Sequence, residues 1–295
     1  MKDTLFKSMH ELVRTALAED VGQGDVTSLS CLEPNPMKAR IIAKSDGVLS
    51  GIKATSLVFG MIDSANSIYF LLNDGDKFSV GETIATIDGF NLTMLPSERV
   101  ALNFLGHLSG VATLTRQFVD QVAEYPCRIL DTRKTTPGWR LLEKAAVRHG
   151  GGKNHRLGLY DMILIKDNHI ASSGSVAEAI KRAREFLQSP QFRFQFERRA
   201  EEISIEVEVT SEVQLREAIT ATVDRLLLDN QSVESLERLV ALARELDPKI
   251  KLEASGNVTL ENVAEIAATG VDYISVGALT HSAPVADFSL LADSK

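Results

Sequence analysis

Residues 203–230 read ISIEVEVTSEVQLREAITATVDRLLLDN, and their order decides the fold. Two short runs rich in branched apolar residues, Ile203–Val209 and Arg225–Leu228, enclose an amphipathic segment near 211–222. Such runs have the length of buried strands, and apolar residues recurring at helical spacing mark a helix. The pattern repeats outward in both directions. Further runs lie at Arg128–Thr132, Met162–Lys166, Ile250–Ala254 and Tyr273–Val276, with amphipathic segments near 137–149, 174–187, 232–246 and 259–269. This alternation builds a parallel sheet covered by helices. It predicts an incomplete β/α barrel of six or seven parallel strands over residues 111–282, with an open doubly wound sheet as the alternative.

The part before the barrel has another rhythm. An opening helix (Thr4 to Ala18) leads through the loop Asp20–Thr27 to short strand-like pieces. Turns separate these at Asp46-Gly47, Asn73–Asp76 and Asp88-Gly89. A small N-terminal α/β (α+β) domain is expected over residues 1–110, followed by a long helical pattern from Pro96 to about Glu124. Phe288, Leu290 and Leu291 are apolar residues left over once the barrel closes, so the tail 283–295 is expected to pack back on the first domain. Between the barrel's helices and strands, 191–202 (QFRFQFERRAEE) alternates Phe192, Phe194 and Phe196 with polar residues. That alternation has the period of a strand, and the segment reads as an insertion contacting another surface.

At 295 residues and 44% apolar content, the chain has enough hydrophobic material for a folded core. No apolar run reaches the roughly 20 residues that span a bilayer. Asp3, Glu11, Glu19, Asp20 and Asp25 interrupt the opening, so a cytoplasmic protein with no membrane partner is expected. Cys31 and Cys127 lie far apart with no zinc-ligand spacing, and both are expected to be buried as small apolar residues. The net charge is −8, yet Thr132 to Arg156 holds seven basic side chains against the single acid Glu143. A pocket-sized cationic window in an acidic protein suits small anions, whereas nucleic acid needs a wide basic face. A solvated helical stripe accounts equally well for Arg140, Lys144 and Arg148, which recur at every fourth residue. Arg133, Lys134, His155 and Arg156 fall outside that stripe.

A barrel gathers the carboxyl ends of its strands at one mouth. Lys166 ends one strand, where it either snorkels to solvent or enters the mouth; it is also the only plausible nucleophile for a Schiff base. Glu206 and Glu208 share one face of the next strand, turned either to the barrel axis or to solvent. If inward, they need cations or a polar ligand to offset desolvation. Asp229 closes the following strand, as a helix cap or as a ligand for ribose hydroxyls or a metal. Ser255-Gly256-Asn257 and Gly277 follow the last two strands, where glycine-bearing loops expose backbone N–H groups to a phosphate. His281 lies four residues beyond Gly277 and can touch the same phosphate.

These strings in succession resemble the quinolinate phosphoribosyltransferases: AEDVGQGDVTS at 18–28, DGVLSG at 46–51, ERVALNFLGHLSGVATLT at 98–115, and DTRKTTPGWRLLEKAAVRHGGGKNHRLGLYDMILIKDNHI at 131–170. They continue with EVEV at 206–209, LLLDN at 226–230, EASGN at 253–257 and ISVGALTHS at 274–282. The resemblance implies a homodimer with a shared active site. Its reaction joins quinolinate to phosphoribosyl pyrophosphate, giving nicotinate mononucleotide, pyrophosphate and carbon dioxide with magnesium. It also implies that Arg133, His155 and Arg156 hold the quinolinate carboxylates, with Arg99 reaching in from the partner subunit. Lys134 and Lys166 contact pyrophosphate or a carboxylate, and Glu208 and Asp229 serve ribose and magnesium, directly or through water. Ser255, Gly256, Gly277 and His281 take the 5′-phosphate, and Lys134, Lys166, Glu208 and Asp229 form the catalytic set. The competing readings are a related transferase for nicotinate or another base, and a non-catalytic phosphate-binding homologue.

Overall fold

In the computed structural model, which describes residues 2–196 and 198–293, the chain divides into two units. Glu197, part of the expected insertion, lies outside the described residues, as do Met1, Ser294 and Lys295. The first unit comprises Met1–Arg116, Lys134–Gly152 and Ala278–Lys295; the second comprises Gln117–Arg133 and Lys153–Gly277.

The first unit opens with helices α1 (Lys2–Asp20) and α2 (Val26–Cys31). Asp25 caps α2, its Oδ1 accepting from Thr27 N at 2.9 Å and Ser28 N at 3.2 Å. There follow β1 (Pro36–Ala43), β2 (Gly47–Val48), α3 (Ile52–Ile62), β3 (Ser67–Phe70), β4 (Lys77–Phe78) and β5 (Thr83–Phe90). Strand β5 pairs antiparallel with both β1 and β3, and β2 pairs with β4. The long helix α4 (Asn91–Gln121) begins ahead of Pro96, with Asn91 Oδ1 accepting from Leu92 N at 2.9 Å. Cys127 is buried, but Cys31 is exposed, contrary to expectation. Cys31 ends a six-residue helix whose one buried residue is Ser28, so no core reaches it.

The second unit holds a six-stranded parallel sheet. Its members are β6 (Arg128–Leu130), then, beyond α5 (Arg140–His149), β7 (Ile163–Ile165), β8 (Ile205–Val209), β9 (Arg225–Asp229), β10 (Lys251–Ser255) and β11 (Tyr273–Ser275). Helices α6 (Asp167–Ser173), α7 (Val176–Gln188), α8 (Pro190–Gln195), α9 (Glu212–Thr220), α10 (Val233–Leu246) and α11 (Val263–Ala268) fill the connections. The spatial order is β6-β11-β10-β9-β8-β7. Each strand from β8 onward lies beside its predecessor, and the last returns to pair with the first. A doubly wound sheet reverses direction at a switch point. This order has none, so the architecture is a barrel, left incomplete because no ladder joins β6 to β7 among the described residues.

Local sequence explains the alternation. Ile205, Val207 and Val209, with Leu226 and Leu228, are buried against helices that contribute Leu215, Ala218, Leu239 and Ala243. Each such side chain contributes about 1.5–3 kcal/mol on burial. Serines open three of the covering helices: Ser175, Ser211 and Ser232 accept from Glu178 N, Gln214 N and Ser235 N at 3.1–3.3 Å.

One expectation fails here, and one open alternative is decided, both for physical reasons. Phe192, Phe194 and Phe196 do not form a strand: Ser189 and Pro190 start α8, and Phe192 and Phe196 stack one helical turn apart at 5.2 Å. Both meet Phe186 of α7 edge-on, at 5.7 and 6.1 Å, while Phe194 between them is 95% exposed. The stripe Arg140, Lys144, Arg148 is not a solvated face either, because Lys144 is fully buried beside Glu143. Helix α5 belongs to the first unit, and there it packs against α1 and, near the end of the chain, α12 (Ala278–His281). Gly150 at its end lies so close to α4 that a Cβ would collide with Ala112 O and Thr115. The final strand β12 (Phe288–Ala292) pairs antiparallel with β1 and buries Phe288 and Leu290.

Candidate active site

Strand ends in the second unit position the polar residues. At the end of β6, Asp131 is fully buried and organises the loop beyond it. Its Oδ1 accepts from His155 N at 2.8 Å and its Oδ2 from Asn154 Nδ2 at 2.5 Å. Lys153 adds a strand-like bridge to Leu130. This loop holds His155 and Arg156 in place. Arg156 donates from Nη1 to Met162 O at 3.3 Å. Burial first, and the neighbouring Arg133 guanidinium second, hold its pKa below the ordinary arginine value, with Glu206 and Asp161 opposing. A second guanidinium near enough to disfavour the charge on Arg156 makes this place favourable for an anion.

Lys166 follows β7 and forms an ion pair from Nζ to Oε2 of Glu208, one strand away. Its backbone N donates to His169 Nδ1 at 2.9 Å. Asp229 ends β9, its Oδ2 accepting from Asn230 Nδ2 at 2.6 Å. Asn230, Gly256 and Asn257 have positive φ of 51°, 97° and 49°. A Cβ on Gly256 would collide with Asn230 Oδ1, so these two strand-end turns pack against one another and require a glycine there. Ser255 and Asp229 are register partners, and Ser255 O accepts from Asn230 N at 2.9 Å. Gly277 follows β11, whose extension is anchored by Val276 N donating to Leu130 O at 2.9 Å.

Beneath these residues lies a layer of buried charge. Glu206 and Glu253, both 0% exposed, come from alternate strands and flank Arg225 of the strand between. Arg225 donates from Nη1 to Glu253 Oε2 at 2.9 Å, and its Nε lies 4.0 Å from Glu206 Oε1. The guanidinium sits 4.3 Å above the Tyr273 ring. His155 Nε2 lies 3.0 Å from Glu206 Oε2 and 3.5 Å from Glu253 Oε1. Its Nδ1 accepts from Arg156 N at 2.7 Å, which fixes the tautomer with the proton on Nε2. Burial raises the Glu206 carboxyl to about 7, with Arg225 the chief opposing influence. Burial, then repulsion from Glu206, raises Glu253 to about 7.

The second unit thus contains Arg133, His155, Arg156, Lys166, Glu208, Asp229, Ser255, Gly256 and Gly277. The remaining candidates belong to the first unit. Arg99 is exposed on α4, and Lys134 is exposed with its carbonyl accepting from Thr280 Oγ1 at 2.7 Å. His281 is exposed at the end of α12, its Nδ1 2.6 Å from Ser282 Oγ. Sequence reading missed Asp131 and Arg225 as parts of the constellation and gave Glu253 no role, whereas Glu206 was read as an acid that needs a cation if it faces inward, and Arg225 is that cation. The signal for Arg225 was its parity: it lies on the same strand face as Asp229, four residues on.

Comparison with known proteins agrees with this fold. Residues 25–109 match the quinolinate phosphoribosyl transferase N-terminal domain and residues 111–291 the C-terminal domain. The chain is 42% identical over 282 residues to a probable nicotinate-nucleotide pyrophosphorylase [carboxylating] of Bacillus subtilis, covering 96% of this chain and 92% of that protein. Its likeness to the protein of that name from Synechocystis is 41% over 274 residues, 93% of this chain and 89% of the relative. The solved nicotinate-nucleotide pyrophosphorylase of Francisella tularensis superposes with a TM-score of 0.89 at 38% identity, covering 97% of this chain and 96% of that one. The chain therefore belongs to the quinolinate phosphoribosyltransferase family.

Proposed function

We propose that this chain transfers the phosphoribosyl group of phosphoribosyl pyrophosphate to quinolinate with loss of carbon dioxide, making nicotinate mononucleotide for NAD biosynthesis. The observation that carries this reading is that the loop anchored by Asp131 and Met162 holds Arg156 near enough to Arg133 for the second guanidinium to disfavour its charge. Quinolinate is a planar dianion, and arginine forks bind planar carboxylates in a bidentate manner.

Displacement at the anomeric carbon places positive charge on the ribose and negative charge on departing pyrophosphate. Glu208 and Asp229 suit the first, and Lys166, paired with Glu208, suits the second. Positioning and fixed charge thus supply most of the acceleration. Glu208 and Asp229 bring carboxylate oxygens to neighbouring strand ends, hard donors of the kind magnesium accepts directly or through retained water. Magnesium, when bound, neutralises charge on the pyrophosphate. Ser255, Gly256 and Gly277 offer backbone and hydroxyl groups to the 5′-phosphate. Arg99, Lys134 and His281 keep, within this proposal, the roles that the resemblance gives them, Arg99 being supplied across a homodimer. After transfer the ring nitrogen is a pyridinium, which stabilises the carbanion left as the adjacent carboxylate departs as carbon dioxide; a proton from water then fills that ring carbon, and no further protein group is required.

No helix among the described residues is long and apolar enough to cross a membrane, and a cytoplasmic homodimer completes the proposal. The test supplies phosphoribosyl pyrophosphate and magnesium with either quinolinate or nicotinate, and follows pyrophosphate and carbon dioxide. Quinolinate should yield both in equal amounts. Turnover of nicotinate alone, or of neither base, would overturn the reading.

A further inference from the structure

The buried layer under the strand ends has no part in the chemistry just described, yet it holds four ionisable side chains. His155 ties it to the candidate carboxylate site. Its Nδ1 accepts from the backbone N–H of Arg156, and its Nε2–H points at Glu206 Oε2 and Glu253 Oε1. With both nitrogens engaged and the side chain 7% exposed, the ring is oriented entirely from within. The carboxylates are oriented in turn by Arg225, itself seated on Tyr273. His155, Glu206 and Glu253 bring ligand atoms within 4.8 Å of one another, a spacing that also suits a metal ion. Arg225 argues against that use, because its guanidinium already supplies a cation to both carboxylates.

We infer that Glu206, Glu253 and Arg225 are positioning residues for quinolinate binding, acting through the His155 ring to set the backbone and hence the guanidinium of Arg156. This rests on the quinolinate reading and deepens it. His155 thereby supports a carboxylate contact made by Arg156. The chain of causes is short. Without the Glu206 acceptor, the Nε2–H keeps only Glu253 Oε1 at 3.5 Å, the ring is held less firmly against Arg156 N, and the segment Lys153–Met162 loses one of its fixed points. A site of two forked arginines tolerates little displacement, since both hydrogen bonds of a fork must form together.

Glu206→Ala and Glu206→Gln, made in the full-length enzyme, test the inference by steady-state kinetics and calorimetric quinolinate binding. The glutamine Oε1 can still accept from Nε2–H, whereas alanine cannot. Alanine should raise the KM and Kd for quinolinate on the order of ten-fold, the loss of one hydrogen bond at a charged site, with the KM for phosphoribosyl pyrophosphate little changed. Glutamine should restore most of the quinolinate affinity. An equal rise for both substrates, unchanged quinolinate affinity in the alanine variant, or no recovery with glutamine overturns the positioning role. If alanine prevents folding, Glu253→Gln serves instead: it removes the charge that holds Arg225 and faces His155 Nε2 at 3.5 Å, so quinolinate affinity alone should fall, and unchanged affinity refutes the inference. Wild-type turnover of quinolinate alongside any of these failures sinks only the positioning role. A wild type inactive with quinolinate sinks the functional reading as well.

Discussion

Replacing Arg225 by leucine should cost stability in a manner that depends on pH. The guanidinium is the cation that Glu253 contacts at 2.9 Å, and it faces Glu206 at 4.0 Å; both carboxylates have zero exposure. Removing one partner of a buried ion pair costs about 3–5 kcal/mol, because the other charge is left uncompensated. Loss of the contact with Tyr273 adds about 0.5–1 kcal/mol. Both carboxyls stand near 7 rather than 4.5. A raised carboxyl favours the folded chain in its protonated form, so that contribution is fully present below about pH 4.5 and lost as pH rises through about 7. At pH 8 the wild type relies on Arg225 to hold two ionised acids. At pH 5.5 the acids are largely protonated in wild type and variant alike, and the ion-pair part of the cost disappears.

Arg225→Leu should therefore lower the melting midpoint by about 7–24 °C at pH 8, taking about 2–4 °C per kcal/mol for a domain of this size. At pH 5.5 the deficit should shrink to a few degrees. Thermal unfolding followed by circular dichroism at the two pH values measures it. The double variant Arg225→Leu, Glu253→Gln should recover part of the loss at pH 8, since one buried charge goes with its counterion. A deficit of the same size at both pH values would mean that Arg225 acts through packing rather than charge, and the electrostatic account would be wrong.

Three other outcomes are expected. Lys134→Ala and Arg156→Ala should each lower turnover by about 10²-fold or more, the loss seen for a single transition-state donor; wild-type rates in either would remove that residue from the catalytic or substrate-binding set. A maleimide should label Cys31 and spare Cys127 in the native protein, because Cys31 is exposed whereas burial pushes the Cys127 thiol up to about 12; mass spectrometry of the labelled peptides decides. Phe192→Ala should destabilise by about 3 kcal/mol, while Phe194→Ser should stay within about 0.5 kcal/mol, as chemical denaturation can show. Equal effects would contradict the arrangement of the Phe186–Phe192–Phe196 cluster.

The barrel was legible because its signal is periodic and repeated. All six apolar runs became strands, and β8 to β11 follow one another in order until β11 lies beside β6. Short segments with two compatible periods misled. Phe192, Phe194 and Phe196 fit a strand, but Phe192 and Phe196 also fit one helical turn, and Ser189-Pro190 supplied a helix start. Lys144 stayed open for another reason: its burial depends on which elements cover α5, and those come from distant parts of the chain. Likewise, Glu206 was visible as a strand acid, but its partnership with Glu253 and Arg225 arises only when alternate strands are brought side by side.

That partnership also explains why the barrel does not fill its lower layer with leucine and valine, as barrels commonly do. Apolar side chains of similar volume in place of Glu206, Glu253 and Arg225 would be neutral or even stabilising by about 1–4 kcal/mol. The same change would strand the Nε2–H of His155, a buried donor whose loss of partners costs about 1–3 kcal/mol. The ring could then satisfy Nε2 only by turning, and Nδ1 would leave Arg156 N. A polar layer is thus the consequence of placing one oriented imidazole beneath a pair of arginines: the imidazole needs an acceptor, the acceptor is a carboxylate that burial disfavours, and Arg225 with a second carboxylate from the alternate strand makes that charge tolerable.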